Sequence, residues 1–324
     1  MTDPDWWDDR HSSRGQLLLA GAVILASVII GLVIVVNSSL FIENASGPDS
    51  SGDVTQVSKI DYNLRQAART VTLRVNHATS DHTASEIGDR VKGNVSNLSQ
   101  ITRVTMVSSQ STVVNATYDN SSSEFGTRVV QANDSYLTDD GTDADGSTWE
   151  PVSGQNIGWF VMNVNLTDMR SETVWVNVSN SRGESVNISM KRVNSPSPDL
   201  RINSSADGEA VTCDPTNRRV LLDLRTGESF TDGDCRFAGT TSITNASTVK
   251  IAGGDNVRGS YSVVANETGT VSGVGGGLPT CSDAQSDEPC RSKVVWTAAV
   301  NVSIQNSNTA YANNHNVSVY EVNR

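Results

Sequence analysis

The residues that could bind a metal ion are concentrated in two short stretches, of which the first is acidic. This stretch, DDGTDADGS at 139–147, contains four aspartates. A calcium loop presents oxygen ligands at alternating positions and closes with a glutamate at the twelfth. With Asp143 and Asp145 as the third and fifth ligands, the first position is Gly141 and the twelfth is Val152. Neither of these residues has a side-chain oxygen that could bind calcium. The sequence therefore favours a hydrated acidic loop over a cation site.

The second stretch contains His77, Asp81 and His82, which could serve as metal ligands or as a catalytic pair. These residues fall where a helix is expected to end, and polar residues are common in the turns that follow helices. The chain has no G-x-S-x-G elbow, P-loop, dinucleotide-binding glycine pattern or H-E-x-x-H zinc pattern. We therefore predict no catalytic residue, metal ligand or cofactor, and a non-enzymatic protein.

All the cysteines, Cys213, Cys235, Cys281 and Cys290, lie in the last third of the chain. Their even number and the absence of a C-x₂-C pair favour two disulfides over a zinc site, with free thiols as the alternative. Of the three possible connectivities we favour Cys213–Cys235 and Cys281–Cys290, because each closes a short polar loop. Closing loops of this length would stabilise the fold by roughly 3 kcal/mol each in the chain-entropy description.

N-x-[ST] sequons, the acceptor pattern for N-linked glycosylation, occur 15 times. The alternative explanation is a solvated surface rich in Ser, Thr and Asn, which raises the count by itself. The first two sequons, at Asn37 and Asn44, follow an apolar segment closely. The acceptors that we predict are Asn94, Asn97, Asn115, Asn120, Asn133, Asn165, Asn177, Asn187, Asn203, Asn245, Asn266, Asn301 and Asn316.

The composition limits the partners of the protein. The net charge of -12 excludes a nucleic-acid partner, since such proteins need a positive surface. There are 25 Asp against 11 Glu, and 19 Arg against 5 Lys. This Asp-rich, Lys-poor balance resembles that of proteins from halophilic archaea, where molar salt screens the repulsion between acidic side chains. An ordinary acidic secreted protein is the alternative.

Residues 17–36, LLLAGAVILASVIIGLVIVV, contain no charge. Twenty helical residues span about 30 Å, which is the thickness of the hydrocarbon core of a bilayer. Arg10 and Arg14 precede this segment, whereas the first base after it is Lys59, so we predict that the N-terminus is cytoplasmic and the rest extracellular. A cleaved secretory signal would have a shorter apolar region and a small-residue cleavage site. We therefore expect the segment to remain as a membrane anchor.

The junction before this segment places Arg14, Gly15 and Gln16 directly against the apolar run. It resembles the class III signal peptide of archaeal type IV pilin-like proteins. That resemblance implies cleavage after Gly15 by a prepilin peptidase, which would leave Gln16 as the new N-terminus and the apolar helix intact. Bacterial pilins usually have Glu at the fifth mature position, where this chain has Ala20. A plain signal-anchored surface protein is the alternative.

The periodicity of the remaining chain changes once. A 3–4 spacing of apolar residues predicts one helix over 53–77 and a second from Thr83 or Ala84 to Leu98, joined as an antiparallel pair. Alternation from about residue 102 onward predicts strands near 160–166, 174–178, 186–190, 219–224, 260–265, 293–304 and 317–322. Gly183 lies in the expected hairpin turn between the second and third of these strands.

Together these patterns predict an α+β protein with a cytoplasmic leader (1–15), a transmembrane helix (16–41), a short helical stalk (53–101) and an extracellular, mainly antiparallel β-sandwich-like domain (102–324). The resemblance implies a minor pilin-like subunit, whose partners would be the membrane, the prepilin peptidase and other pilin-like subunits. The alternative is a signal-anchored surface glycoprotein that binds an envelope partner or ligand through its β-domain.

Overall fold

The computed structural model describes residues 50–78, 83–143, 148–194, 198–215, 217–266, 277–284, 288–307 and 309–320. The chain divides into a first unit, Met1–Ser58, and a second, Lys59–Arg324. The predicted leader, processing junction and membrane segment, with Asn37 and Asn44, lie outside the described residues. Within the described ranges no helix is both long enough and apolar enough to cross a membrane.

Two helices precede the strands. Helix α1 is Ser50–Ala78 and helix α2 is Ala84–Gln110. A capping box begins α2: the Thr83 hydroxyl accepts from the Glu86 amide, and the Glu86 carboxylate accepts from the Thr83 amide. The backbone amides of Thr83 and Glu86, which have no partner within the helix, are thereby hydrogen-bonded. The two predicted helices and the predicted start of the second at Thr83 are confirmed.

Helix α2 extends beyond the predicted boundary near residue 101. Its last three turns are rich in β-branched and hydroxyl residues, which favour strands in the absence of other information. Here the Thr102 and Thr105 hydroxyls donate to carbonyls four residues earlier in the helix. The apolar residues Ile101 and Val104 of this stretch are exposed rather than buried. The prediction that strands begin near residue 102 was therefore wrong, since the first strand begins at Val113.

The strands form two antiparallel sheets. The first sheet has the order β13-β12-β1-β11-β3-β8-β9. Its strands are β1 (Val113–Tyr136), β3 (Ile157–Asn165), β8 (Arg219–Asp223), β9 (Glu228–Ser229), β11 (Arg258–Asn266), β12 (Cys290–Gln305) and β13 (Ala310–Ser318). The second sheet has the order β2-β10-β4-β5-β6-β7. Its strands are β2 (Trp149–Val152), β4 (Val174–Ser179), β5 (Ser185–Asn194), β6 (Pro198–Ser204), β7 (Ala210–Cys213) and β10 (Thr248–Ala252).

The first sheet lies between the helices and the second sheet. Arg128 and Trp159 contact α1, whereas the residues that follow them, Val129 and Phe160, belong to the core between the two sheets. Successive side chains of a strand point to opposite faces, so the helices and the second sheet cover opposite faces of the first sheet. The predicted β-sandwich-like arrangement is present. From Lys59 onward the helices belong to the same compact unit as this sheet.

Most predicted strands are present near their predicted positions. The hairpin β4–β5 pairs Val178 with Val186 and turns through Gly183, whose φ is 84°. The last strand was predicted at 317–322, whereas β13 is Ala310–Ser318. Most residues of this edge strand, AYANNHNVS, are polar. The sequence therefore lacks the apolar alternation by which a strand is predicted.

Candidate functional surfaces

Helix α1 is joined to the first sheet by Asn76. Its Nδ2 donates to the Val295 carbonyl at 2.8 Å, and its Oδ1 accepts from the Val295 amide at 2.9 Å. The same Nδ2 lies 3.0 Å from the Tyr320 hydroxyl, and Arg128 donates to the Asn76 carbonyl. Asn76 is completely buried. Because buried polar groups stabilise only when they are paired, this network fixes the position of the helix on the sheet.

Two further polar side chains of α1 contact β13 and the residue that follows it. Asp61 is buried, and its carboxylate lies 2.6 Å from His315 Nε2 on β13 and 3.0 Å from Arg65 Nε. Arg69 Nε donates to the carbonyls of Ser318 and Val319. With Asn76, these residues form a row along one side of α1, which we call the helix seam (Asp61, Arg69 and Asn76).

His77 follows the helix seam and lies in a largely apolar environment. Its ring centroid is 5.0 Å from that of Trp159 and 6.0 Å from that of Tyr320, and its Nε2 is buried without a hydrogen bond among the described residues. Burial, with a smaller effect from the Arg128 charge, lowers the pKa of His77 to about 4. Burial also raises the pKa of Tyr320. His77 is therefore a neutral packing residue near pH 7; Asp81 and His82 lie outside the described residues.

The structure contains both favoured disulfides, Cys213–Cys235 and Cys281–Cys290. Cys213 ends β7, the edge strand of the second sheet. Cys235 precedes Arg236, which bridges to β9 at the edge of the first sheet. The first disulfide therefore joins the edges of the two sheets, and both of its cysteines are fully buried. The second disulfide closes the loop before β12.

Two carboxylates of the acidic stretch, those of Asp140 and Asp143, bind other groups of the protein. The Asp140 carboxylate accepts from the amide and hydroxyl of Thr142, and these hydrogen bonds lower the pKa of Asp140. Asp143 pairs with Arg170 at 2.8 Å. Asp145 lies outside the described residues. Within the described ranges no group of three or more His, Cys, Asp or Glu side chains is arranged to hold a metal ion.

The predicted glycosylation acceptors differ in exposure. The side chain is exposed at Asn94, Asn97, Asn115, Asn133, Asn203, Asn245 and Asn316, and half-buried at Asn120, Asn177, Asn187, Asn266 and Asn301. Asn165, at the end of β3, is the exception. Its Nδ2 donates to the carboxylates of Asp134 and Asp168, and only 7% of the residue is exposed. Its amide nitrogen, the atom that would accept a sugar, is therefore already in use in the folded protein.

Three acceptors share the outer face of the second sheet, on adjacent strands. Asn177 on β4 is directly opposite Asn187 on β5, and Asn203 on β6 is opposite Ser189 on β5. Trp175 lies two residues before Asn177 on β4 and therefore on the same face. We call these four residues the acceptor face (Trp175, Asn177, Asn187 and Asn203).

Comparison with protein-family models, with curated proteins and with solved structures found no match for this chain.

Sequence reasoning missed the helix seam. The apolar stripe of α1 was predicted correctly, but the buried polar residues Asp61, Thr72 and Asn76 lie beside that stripe and look like an ordinary solvated face. The partners of Asn76 on β12 and of Asp61 on β13 are more than 200 residues away in sequence. Nothing local in the sequence indicates such a pairing.

Proposed function

We propose that this chain is a non-enzymatic, membrane-anchored cell-surface protein of the pilin-like kind, exported with its α+β head outside the cell. The proposal begins from the apolar segment 17–36 and from the Arg14-Gly15-Gln16 junction that precedes it. In this proposal a prepilin peptidase removes the leader, and the apolar helix anchors the subunit and packs with other pilin-like subunits. It requires no catalytic site.

The observation that carries the proposal furthest is the helix seam. In an anchored protein of this kind, the head must be attached firmly to the helical segment that follows the anchor. From Lys59 onward α1 lies on the first sheet, where the side chains of Asp61, Arg69 and Asn76 contact β12, β13 and the residue directly after β13. These contacts hold the first described helix and the last described strands together.

Two further observations support an extracellular location. Disulfides persist in oxidising compartments, and both pairs are formed here. Of the 13 acceptors that we predict, all but Asn165 are exposed or half-buried, so attached sugars would not have to enter the core. Both features agree with the predicted orientation of the membrane segment.

The test is the mature N-terminus of protein purified from its native membrane, determined by mass spectrometry. A chain that begins at Gln16 is expected. The variant Gly15→Leu should retain the leader, because a bulky side chain replaces the glycine of the junction, whereas Ser13→Ala should be processed normally. A wild-type chain that begins at Met1 or Thr2 would contradict pilin-type processing and favour the signal-anchored surface glycoprotein.

A further inference from the structure

Trp175 is an unusual residue for the position that it occupies. It lies on β4, the third of six strands, and 43% of it is exposed, whereas Trp149 and Trp296 are buried. An indole is a large apolar group, and burying it removes much apolar surface from water. The exposed ring therefore offers a binding surface to any group that could cover it.

The neighbours of Trp175 leave its ring uncovered. The residues directly opposite it are Ala252 on β10 and Ser189 on β5, both of which are small. No aromatic ring or cation among the described residues stacks on the indole. The indole is therefore exposed, with a small side chain directly across from it on each neighbouring strand.

The nearest acceptor along the strand is Asn177. Residues two apart on a strand lie on the same face and about 7 Å apart. The side-chain amide of Asn177 has no hydrogen bond with the described residues, so its Nδ2 is available for modification, in contrast to that of Asn165. Ser179, the hydroxyl residue of the sequon, is half-buried at the end of the same strand.

We infer that Asn177 is N-glycosylated and that the first sugar of this glycan stacks on the indole of Trp175. A sugar ring has one face of C–H groups, and this face removes apolar surface from water when it lies against an aromatic ring. The sugar supplies the cover that the protein itself lacks, while its hydroxyl groups remain in solvent. This inference rests on the proposed function, since it requires the head to reach the compartment where N-linked sugars are attached.

The acceptor face provides its own controls. Two residues before Asn187, on the same face, is Ser185, and two residues before Asn203 is Arg201. Neither offers an aromatic ring at the position that Trp175 has relative to Asn177. Removal of a glycan from Asn203, which lies two strands away from Trp175, should therefore have little effect on stability.

The experiment is a double-mutant cycle on full-length protein produced in its native host, with glycopeptide mass spectrometry and thermal unfolding as the readouts. Asn177→Gln should lower the midpoint of unfolding by about 2–4 °C in the wild-type background. In the Trp175→Ala background the same substitution should change the midpoint by less than a third of that amount. Asn203→Gln, two strands away from Trp175, is the matched control and should leave the midpoint unchanged in both backgrounds.

Three results would overturn the inference, and they have different meanings. An unmodified Asn177 in a protein that carries sugars at other acceptors would overturn the inference alone. The same holds for a modified Asn177 whose substitution has equal effects with and without Trp175. A protein without sugar at any acceptor would overturn the inference, whereas the proposed anchoring is decided separately by the mature N-terminus.

Discussion

The side chain of Asn76 pairs with the backbone of Val295 as a neighbouring strand would, donating to its carbonyl at 2.8 Å and accepting from its amide at 2.9 Å. The two residues are 219 positions apart. Val295 lies in β12, so the side-chain amide of a helical residue takes the place of the backbone of a neighbouring strand. This contact joins the first described helix to β12, near the other end of the sequence.

Replacing Asn76 should therefore be costly. Asn76→Ala leaves a buried donor and a buried acceptor of Val295 without a partner, and we expect the free energy of unfolding to fall by about 3 kcal/mol. Chemical denaturation followed by circular dichroism measures this loss. Asn63→Ala, at an exposed position of the same helix, is the control and should change the free energy by less than about 0.5 kcal/mol. Equal effects of the two substitutions would show that the Asn76 pairing contributes nothing.

His77 should make stability depend on pH. Its pKa is lowered to about 4 in the folded protein and is about 6.5 in the unfolded chain, so the unfolded state binds the extra proton between these values. The protein has its full stability above pH 6.5 and loses stability as the pH falls towards 4, where the loss amounts to about 3 kcal/mol. Denaturation of wild type and His77→Gln from pH 7 to pH 4 measures it. The difference in unfolding free energy between the two proteins should shrink with falling pH, and a constant difference would contradict the assignment.

Gly158 is required by the close approach of two aromatic residues. A Cβ at this position would lie 2.5 Å from Tyr320 Cβ and 2.6 Å from Trp296 Cη2. Gly158→Ala should therefore lower the free energy of unfolding by about 1–3 kcal/mol. Gly93→Ala in α2 is the matched control: nothing lies within 4 Å of its Cβ, and alanine should stabilise the helix by about 0.5–1 kcal/mol. Opposite signs for these two substitutions, measured by denaturation, are the expected outcome.

The two disulfides should differ in their accessibility to reductant. Cys213 and Cys235 are fully buried, whereas Cys281 is half-buried. Mild reduction of the folded protein, followed by alkylation and peptide mapping, should label Cys281 and Cys290 first, because thiol exchange needs access to a sulfur atom. Labelling of Cys213 and Cys235 should require unfolding. Simultaneous labelling of all the cysteines under native conditions would contradict this order.

Local patterns predicted the parts of the fold that depend on local interactions. The Thr83 cap, the hairpin turn at Gly183 and the alternation in β3, β4 and β5 follow from neighbouring residues alone. The length of β1 did not, because the run NSSSE at 120–124 interrupts its apolar alternation at an irregularity in its pairing with β12. The helix seam also escaped prediction, since a buried Asn or Asp in a helix has meaning only beside its distant partner. The acceptor Asn177 was identified from its sequon. That Trp175 lies on the same face and is exposed follows only from the pairing of the strands in the sheet.

The pairing of β1 with β11 and β12 has a consequence for biosynthesis. The first strand of the head acquires both its neighbours only after residues 258–305 have been made, and Asp61 reaches His315 across 254 positions. Such non-local closure delays folding until nearly the whole chain is present. In an exported chain, Asn115 and Asn120 on the first half of β1 would thus emerge into the outer compartment well before their strand is paired. A transferase would therefore encounter these asparagines on an unfolded segment, in the interval between the synthesis of β1 and that of β12.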